Sequence, residues 1–275
     1  MIRDKYKNNY RRALFSVFIM ILNFATWNIG GGILWESYQI DGKENIPYYA
    51  KIINKYSPDI LCLQEAHSYG SAWSQANILA EQCGYSYVEN QPISPSHLKE
   101  NAELSLSTLS KFPIISTQYT VFENPHLKTI WPNGVSWNLY DKWFLTSEID
   151  FHGVRITIIN VHFFPFHYFW ASAEEWRFSH ILDPLRNILT MREKSPTLLG
   201  MDFNHPNITL LNKNTPYQNS FSLSTTPKWV QQDFILYNSY FSLLSAQVLP
   251  TESDHHFCTC TFSFDSLCQD QLSER

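Results

Sequence analysis

Short apolar runs that stop at an amide, an acid or a histidine recur along this chain, and no other feature restricts its fold as much. Phe24–Ile29 carries Asn28 near its end, and Ile60–Leu63 finishes at Gln64-Glu65. Arg155–His162 alternates, placing Ile156, Ile158, Asn160 and His162 on one face. Thr197–Gly200 leads into Asp202 and Asn204, Asp233 opens Phe234–Leu236, and Ser253-Asp254-His255 precedes Phe257–Phe262. Runs of this length and alternation mark strands of a buried sheet. Helical periods lie between them. Ile46–Lys55 groups Tyr49, Ile52, Ile53 and Tyr56 and is closed by Ser57-Pro58, because proline disfavours helix at the residue before it. Ser71–Cys83 turns Trp73, Ala76, Leu79, Ala80 and Cys83 inward and stops at Gly84. The capping box Ser172-x-x-Glu175 opens a third helix whose stripe is Phe178, Ile181, Leu182, Leu185, Ile188 and Leu189, with Pro184 bending or restarting it. Alternating strands and helices predict an α/β chain.

With 275 residues the chain can form one large domain or two small ones. Charged residues contribute 16% and aromatic residues 16%, which excludes intrinsic disorder. The formal net charge of −5 excludes the global basic footprint of a nucleic-acid coat protein and leaves room only for a local basic groove. Cys62, Cys83, Cys258, Cys260 and Cys268 are an odd set in a long chain, so no disulfide framework is expected. Cys258-x-Cys260 lacks the spacing of a zinc or redox motif, and the thiols read as small buried hydrophobes.

The N-terminus supports two readings. Arg3, Lys5, Lys7, Arg11 and Arg12 precede an apolar run, and no charged residue occurs from Ala13 to Leu34, which is the order of a secretory signal or an anchor. Asn23, Asn28 and three glycines interrupt that stretch, and Met20 as a start would leave Ile21–Ile29 as a first strand. The first reading implies a secreted or membrane-associated protein, the second a cytoplasmic one. The expected organisation is an extension over 1–22 that includes the start of the first strand, a domain over 23–265 and a tail over 266–275.

Taken singly, each polar strand end has an ordinary explanation as a turn former or helix cap. Together they have a common chemical sense. Clustered carboxylates repel unless a cation sits among them. Oxygen donors without cysteine suit Mg²⁺ or Mn²⁺ and not Zn²⁺. Histidines beside such a site can supply a base and an acid near neutral pH.

The ordered segments Thr26-Trp27-Asn28-Ile29, Leu63-Gln64-Glu65, Leu109–Ile114, Asn160-Val161-His162, Gly200–Asn204, Asp233-Phe234-Ile235 and Ser253-Asp254-His255 resemble the motifs of the endonuclease/exonuclease/phosphatase superfamily, the deoxyribonuclease I-like proteins. The resemblance implies an α/β four-layer sandwich: two packed mixed β-sheets flanked by helices, with the active site at one end. It implies a divalent-metal-dependent phosphoesterase using Mg²⁺ or Mn²⁺, with Glu65 as principal metal ligand and Asn28 and Asp254 beside it. His255 would be the general base oriented by Asp233, His162 would contact phosphate or the leaving group, and Asp202 and Asn204 would hold the attacking or leaving oxygen.

Departures from the family pattern bear on substrate. Met201 replaces a common second glycine and would crowd the site, while His256 should face away from His255. The segment from Trp131 to Trp137 reads as a turn. His167 and Arg177 are expected substrate contacts, and Lys111, Lys128, Lys142 and Arg177 are candidates for a basic groove. Asp202-Phe203-Asn204-His205 and Gln232-Asp233-Phe234 disfavour an inositol-phosphatase reading, and His162-Phe163-Phe164 a bacterial sphingomyelinase. The expected activity is phosphodiester hydrolysis by a monomer, first of nucleic acid. Alternatives are a phospholipid or sphingomyelin phosphodiesterase meeting a membrane through aromatic loops, a small-phosphoester phosphatase and a non-catalytic binding module.

Overall fold

The computed structural model describes residues 19–36, 42–70, 73–130 and 134–265, so expectations about the basic segment before Ile19 and the tail after Asp265 lie outside the described residues. In chain order the strands are β1 Ile19–Asn28, β2 Ile60–Tyr69, β3 Trp73–Ser74, β4 Tyr87–Pro95, β5 Glu103–Ser110, β6 Ile114–Val121, β7 Lys128–Ile130, β8 Ser136–Asn138, β9 Trp143–Phe151, β10 Val154–His162, β11 Thr197–Asp202, β12 Gln218–Asn219, β13 Asp233–Tyr237, β14 Phe241–Leu249 and β15 Phe257–Asp265. The helices are α1 Ile46–Tyr56, α2 Gln75–Cys83, α3 Asp183–Arg192 and the single turn α4 Thr209–Asn212. One sheet has the order β14-β15-β1-β2-β5-β4 with β3 on β2, and the second has the order β12-β13-β11-β10-β9-β6. Both are mixed: β1 runs parallel to β2 and β10 parallel to β11, with antiparallel pairs elsewhere.

Alternation along the strands builds the layers. Leu22 and Phe24 of β1, Ile60 and Cys62 of β2, Ile156 and Ile158 of β10, Leu198 of β11 and Ile235 of β13 fill the space between the sheets. The intervening residues face outward. Ala25, Trp27, Leu61 and Leu63 pack under α1 and α2, while Ile159, Val161, Leu199, Met201, Phe234 and Leu236 pack under α3 and the loops beside it. Burying a side chain of this size is worth roughly 1.5–3 kcal/mol. This is the four-layer arrangement expected from the sequence. The same alternation puts Met201 on the outer face, so it does not crowd the inner one.

Several elements differ from expectation for local reasons. The second helix starts at Gln75, because the Ser74 hydroxyl caps it by accepting the Asn77 N–H; Trp73 belongs to an edge strand and is 38% exposed. Pro184 restarts the third helix: a 3₁₀ stretch covers Trp176–Leu182, and α3 begins at Asp183. Ser172 and Glu175 do interact, with the carboxylate accepting the Ser172 N–H, but they precede the 3₁₀ stretch. Trp137, expected in a turn, lies in β8, which pairs with β7. Met20 and Ile21 already belong to β1, paired with Phe264 and Ser263 of β15. No helix among the described residues is long and apolar enough to cross a membrane. Cys62, Cys258 and Cys260 are buried free thiols, and Cys83 is half-buried and also free.

The inner faces change character towards one end. Beyond the apolar layer come Thr26, Gln64, Asn160 and Gly200, and beyond these Asn28, His162, Asp202 and Asp233. Gly200 has no room for a side chain, since a Cβ there would lie 3.0 Å from the Cβ atoms of both Cys62 and Thr26. In β2 the pairing with β5 slips between Leu63 and Ala66, a β-bulge in which Glu65 takes φ +57°. The Asn160 side chain reaches across from the opposite sheet, donating to the carbonyls of Leu63 at 3.1 Å and Ser107 at 2.9 Å while accepting from Gln64 Nε2 at 2.7 Å. The expected strand end at Glu65 is therefore a bulge inside a longer strand. Without the slip, Glu65 would share the outer face of Leu61 and Leu63.

The Gly30–Gly32 turn after β1 is held from behind. All three glycines have positive φ, and a Cβ on Gly31 would collide with the His67 ring. His67 is fully buried, its Nδ1 3.0 Å from Glu44 Oε1 and its Nε2 2.9 Å from Ser96 Oγ. Burial alone would raise the Glu44 carboxyl, but hydrogen bonds from His67, Lys99, Tyr69 and Gln75 prevail and hold it at about 2.

Two outcomes follow from these contacts. Asn160→Ala leaves both carbonyls at the bulge without their donor, and chemical denaturation should show a loss of about 1–3 kcal/mol for each buried group left unsatisfied. A folded carboxyl with a depressed pKa stabilises the protein above its unfolded value near 4.5, and that stability is lost as pH falls towards 2. Glu44→Gln should therefore lower the Tm most near pH 6, and the gap from the parent should close by about pH 2; a gap independent of pH would contradict the ion-pair account.

Candidate active site

The polar ends of both sheets converge on one cleft of about 250 Å³. Asn28, Glu65, His162, Asp202, Asn204, Asp254 and His255 line one side of it. Parallel pairing sets Asn28 beside Gln64 and His162 beside Asp202. Antiparallel pairing brings Asp233, the first residue of β13, opposite Asp202. Six segments far apart in sequence thus present their polar residues at the same end.

Each side chain has a defined partner. Asp233 is fully buried and sits behind the cleft, its Oδ2 2.8 Å from His255 Nδ1. The Thr225 hydroxyl accepts the Asp233 N–H at 3.0 Å. Asp202 Oδ2 accepts from Asn28 Nδ2 at 2.9 Å and Asn204 Nδ2 at 3.2 Å, and Asp202 Oδ1 accepts the Asn204 N–H at 2.9 Å. His162 Nε2 lies 3.5 Å from both Glu65 Oε1 and Asp202 Oδ2. Asn28 Oδ1 accepts the Gly30 N–H at 2.9 Å, and a Cβ on Gly30 would approach Asp254 Oδ1 to 2.9 Å. The glycine is what lets the turn and Asp254 sit together.

Lys142, expected only as one member of a basic groove, lies at the heart of the site. Its Nζ is 3.2 Å from Nδ1 and 3.3 Å from Nε2 of His162, and the residue is 6% exposed. Burial lowers its pKa while the charges of Glu65 and Asp202 hold it up. None of the other three candidates lines the cleft. Lys111 is tied to Ser57 and Asp59 at the opposite end of the sheets, Lys128 is exposed on β7, and Arg177 pairs with Glu175 over the Phe178 ring. Neither Arg177 nor His167 lines the cleft. His167 is exposed on the 3₁₀ turn Phe166–Phe169, and the next residue, Tyr168, faces the cleft instead. His256 faces away from His255, towards a separate groove with Trp229 and Val248.

Electrostatics explain how such a cluster is charged. Burial pushes Glu65 up to about 7; Lys142 draws it down, and the Asp254 and Asp202 charges push it up again. Asp202 is likewise raised by burial. Burial lowers His255, but the Asp233 and Asp202 charges outweigh it and hold the ring well above the ordinary histidine value. His162 is driven well below that value by burial and then by the Lys142 charge. Carboxylates that repel one another and are this costly to ionise suit a cation among them. Glu65, Asp202 and Asp254 with the Asn28 amide offer only oxygens, a donor set that fits Mg²⁺ or Mn²⁺. Ligand atoms of Asp202, Asp233 and His255 also come within 4.8 Å of one another. Because Asp233 already engages His255 Nδ1, that trio is better suited to fixing an imidazole, and the cleft-facing oxygens are the better cation set.

The opposite side of the cleft is apolar and was not legible in the sequence. His97, Leu104, Trp137, Leu139, Tyr140, Pro165 and Tyr168 line it, with Trp35 also lining the cleft. Leu104 belongs to β5 and Trp137 to β8, and the others come from connections whose hydrophobic residues have no period. The one available signal was the density of aromatics around Trp137 and Tyr168.

Comparison with known proteins agrees with this geometry. A sequence model of the Endonuclease/Exonuclease/phosphatase family, whose members hydrolyse phosphoesters and generally depend on a divalent metal, matches residues 25–255. No curated protein sequence matches the chain. An endonuclease/exonuclease/phosphatase from Beutenbergia cavernae superposes with a TM-score of 0.67 at 16% identity, over 89% of this chain and 72% of that one. The human Nocturnin catalytic domain, solved with bound sulfate, gives 0.62 at 20% identity over 91% and 97% of the two chains. ANGEL2, described as a 2′,3′-cyclic phosphatase, gives 0.63 at 13% identity over 92% and 99%. The family match runs from the strand that carries Asn28 to His255 itself, and this chain belongs to the Endonuclease/Exonuclease/phosphatase family.

Proposed function

We propose that this protein hydrolyses phosphodiester bonds with Mg²⁺ or Mn²⁺, by direct attack of water and without a covalent enzyme intermediate. The observation that carries the reading is the His255–Asp233 pair at 2.8 Å, opening onto a cleft lined with Glu65, Asp202 and Asp254. Asp233 holds Nδ1–H of the imidazole and leaves Nε2 to take a proton from water, the division of labour seen in other acid–histidine pairs. Asp202 and Asn204, cross-linked by two hydrogen bonds, are placed to orient the water or the departing oxygen. His162 and Lys142 are placed to donate to phosphoryl oxygens as negative charge grows there. A divalent cation held by Glu65, Asp254, Asp202 and Asn28 would supply further positive charge to the phosphate. That charge would also offset the acids that keep His255 protonated, freeing the ring to act as a base.

The expected outcomes are specific. Chelation with EDTA should abolish turnover of a phosphodiester substrate, and Glu65→Ala should match the chelated rate. His255→Ala and His162→Ala should each lower kcat by about 10²–10⁴-fold, the range of general acid–base assistance, with the thermal transition retained. Near-parental turnover in Glu65→Ala or His255→Ala would defeat the proposal.

A further inference from the structure

The two sides of the cleft are chemically unlike, and the contrast bears on substrate. This inference rests on the phosphoesterase reading and narrows it. One side carries the acids and histidines; the other is built from Trp137, Tyr168, His97 and Leu139, with Trp35 beside them. Trp137 is the hub of the wall, its ring centroid 5.7 Å from those of both His97 and Tyr168 and 5.1 Å from Phe169. Tyr168 is 41% exposed and Trp35 40%, and both line the cleft beside the acids and histidines, so aromatic surface is accessible there. Among the described lining residues Lys142 is the only lysine or arginine, and it sits at the junction of the two sides, against His162.

Charge and size point the same way. Proteins that hold a nucleic-acid backbone do so with several lysines or arginines, commonly about 6–10 for a duplex site. Here a chain of net charge −5 brings one buried lysine to the cleft lining; Lys111 lies at the opposite end of the sheets, Arg177 pairs with Glu175, and Lys128 stands exposed on β7 beside β8. Lys228, over the Trp35 ring at 5.7 Å, is the nearest addition, in a small hollow shared with Asp254 and His255. A cleft of about 250 Å³ is near the lower limit of small-molecule sites, which run roughly 300–1,000 Å³. That is room for a phosphate and an adjoining ring, not for a bound duplex or a pair of acyl chains.

We infer that the Trp137–Tyr168 wall is a stacking subsite, and that the substrate is a nucleotide-sized phosphoester whose base lies against it with the scissile phosphate at Lys142 and His162. Free dinucleotides or nucleotides and the frayed end of a single strand share this chemistry. An internal phosphate of a duplex does not, because its bases are stacked within the helix. A lipid headgroup offers no aromatic base to stack there, and a choline head, which would meet the same rings as a cation, is distinguished by the vesicle arm of the test.

The test compares kcat/KM of the full chain with Mg²⁺ or Mn²⁺ on four substrates: a dinucleotide, a single-stranded oligonucleotide, supercoiled plasmid, and sphingomyelin in phosphatidylcholine vesicles. Hydrolysis of the dinucleotide or release of end nucleotides, with the plasmid and vesicles cut at least tenfold more slowly, is the expected result. The dinucleotide against the oligonucleotide then separates free from terminal substrates. Trp137→Ala and Tyr168→Ala should each raise KM for the preferred substrate about tenfold, the scale of one base–aromatic stack, with the effect falling on KM more than on kcat. Plasmid nicking or sphingomyelin cleavage at a rate matching the dinucleotide would overturn the inference while leaving phosphoester hydrolysis intact. A turnover-independent measurement separates the two claims. In Glu65→Ala, a nucleoside monophosphate should quench tryptophan fluorescence, and Trp137→Ala in that background should remove the quench. Quenching in Glu65→Ala with no hydrolysis of any of the four substrates by the parent chain would sink the phosphoesterase reading alone, and no quenching would sink the stacking subsite.

Discussion

A single asparagine holds the catalytic end of this molecule together. Asn160 leaves its own sheet, crosses the interior and donates to two carbonyls beside the β-bulge of the other sheet, while Gln64 donates back to it. Buried backbone carbonyls need partners, and a bulge removes them from the ladder. The amide supplies the missing donors and so makes the irregular backbone affordable in free energy. The consequence lies one residue further along: Glu65, which regular pleating would turn outward, is brought into the cleft. A stability contact and a functional placement are one interaction here.

Next to that neutral layer the protein concentrates charge in a dry place. Four acids, two histidines and a lysine lie within one strand end, most of them almost fully buried. Burial disfavours every charged form, so the groups must hold each other: Lys142 against Glu65 and Asp202, and His255 against Asp233 and Asp202. The histidines are driven in opposite directions: burial and then the Lys142 charge take His162 down, while at His255 the Asp233 and Asp202 charges outweigh burial and take it up. Environments that separate like groups in this way give them different roles in catalysis. Breaking such a set by removing one member leaves the others uncompensated.

The cleft also unites regions of different regularity. On its charged side Asn28, Glu65, His162 and Asp202 stand on strands, where hydrogen-bonded register leaves little freedom, while Lys142, Asn204, Asp254 and His255 stand in the loops at the strand ends. Its aromatic side stands on the connections that carry Trp35, His97 and Tyr168 and on the short strand β8 that carries Trp137. Rigid scaffolds commonly present both their chemistry and their binding surface at strand ends and on the loops they position. The division explains how relatives of 13–20% identity share the architecture, since outer loops can change without disturbing the pleat that aligns Asn28, His162, Asp202 and Asp233.

Much of the catalytic side was legible in the chain because it obeys period two. An apolar residue at every second position, ended by Asn28, His162 or Asp202, states which residues share a face and that the face turns polar at one end. The motif order then indicated which ends meet, and helix stops at Ser57 and Gly84 followed from local backbone preference. What the sequence could not state were the features that depend on a second segment. The bulge at Glu65 needs Asn160 from the other sheet, the burial of Lys142 needs His162 and the acids around it, and the pairing of Trp73 and Ser74 with β2 keeps those residues out of α2. The exclusion of Arg177 and His167 and the assembly of the aromatic wall were likewise settled by loops folding over the sheet ends. Local periodicity determined the faces; tertiary packing decided which charges became neighbours, because desolvation and cross-sheet hydrogen bonds exist only once the layers close.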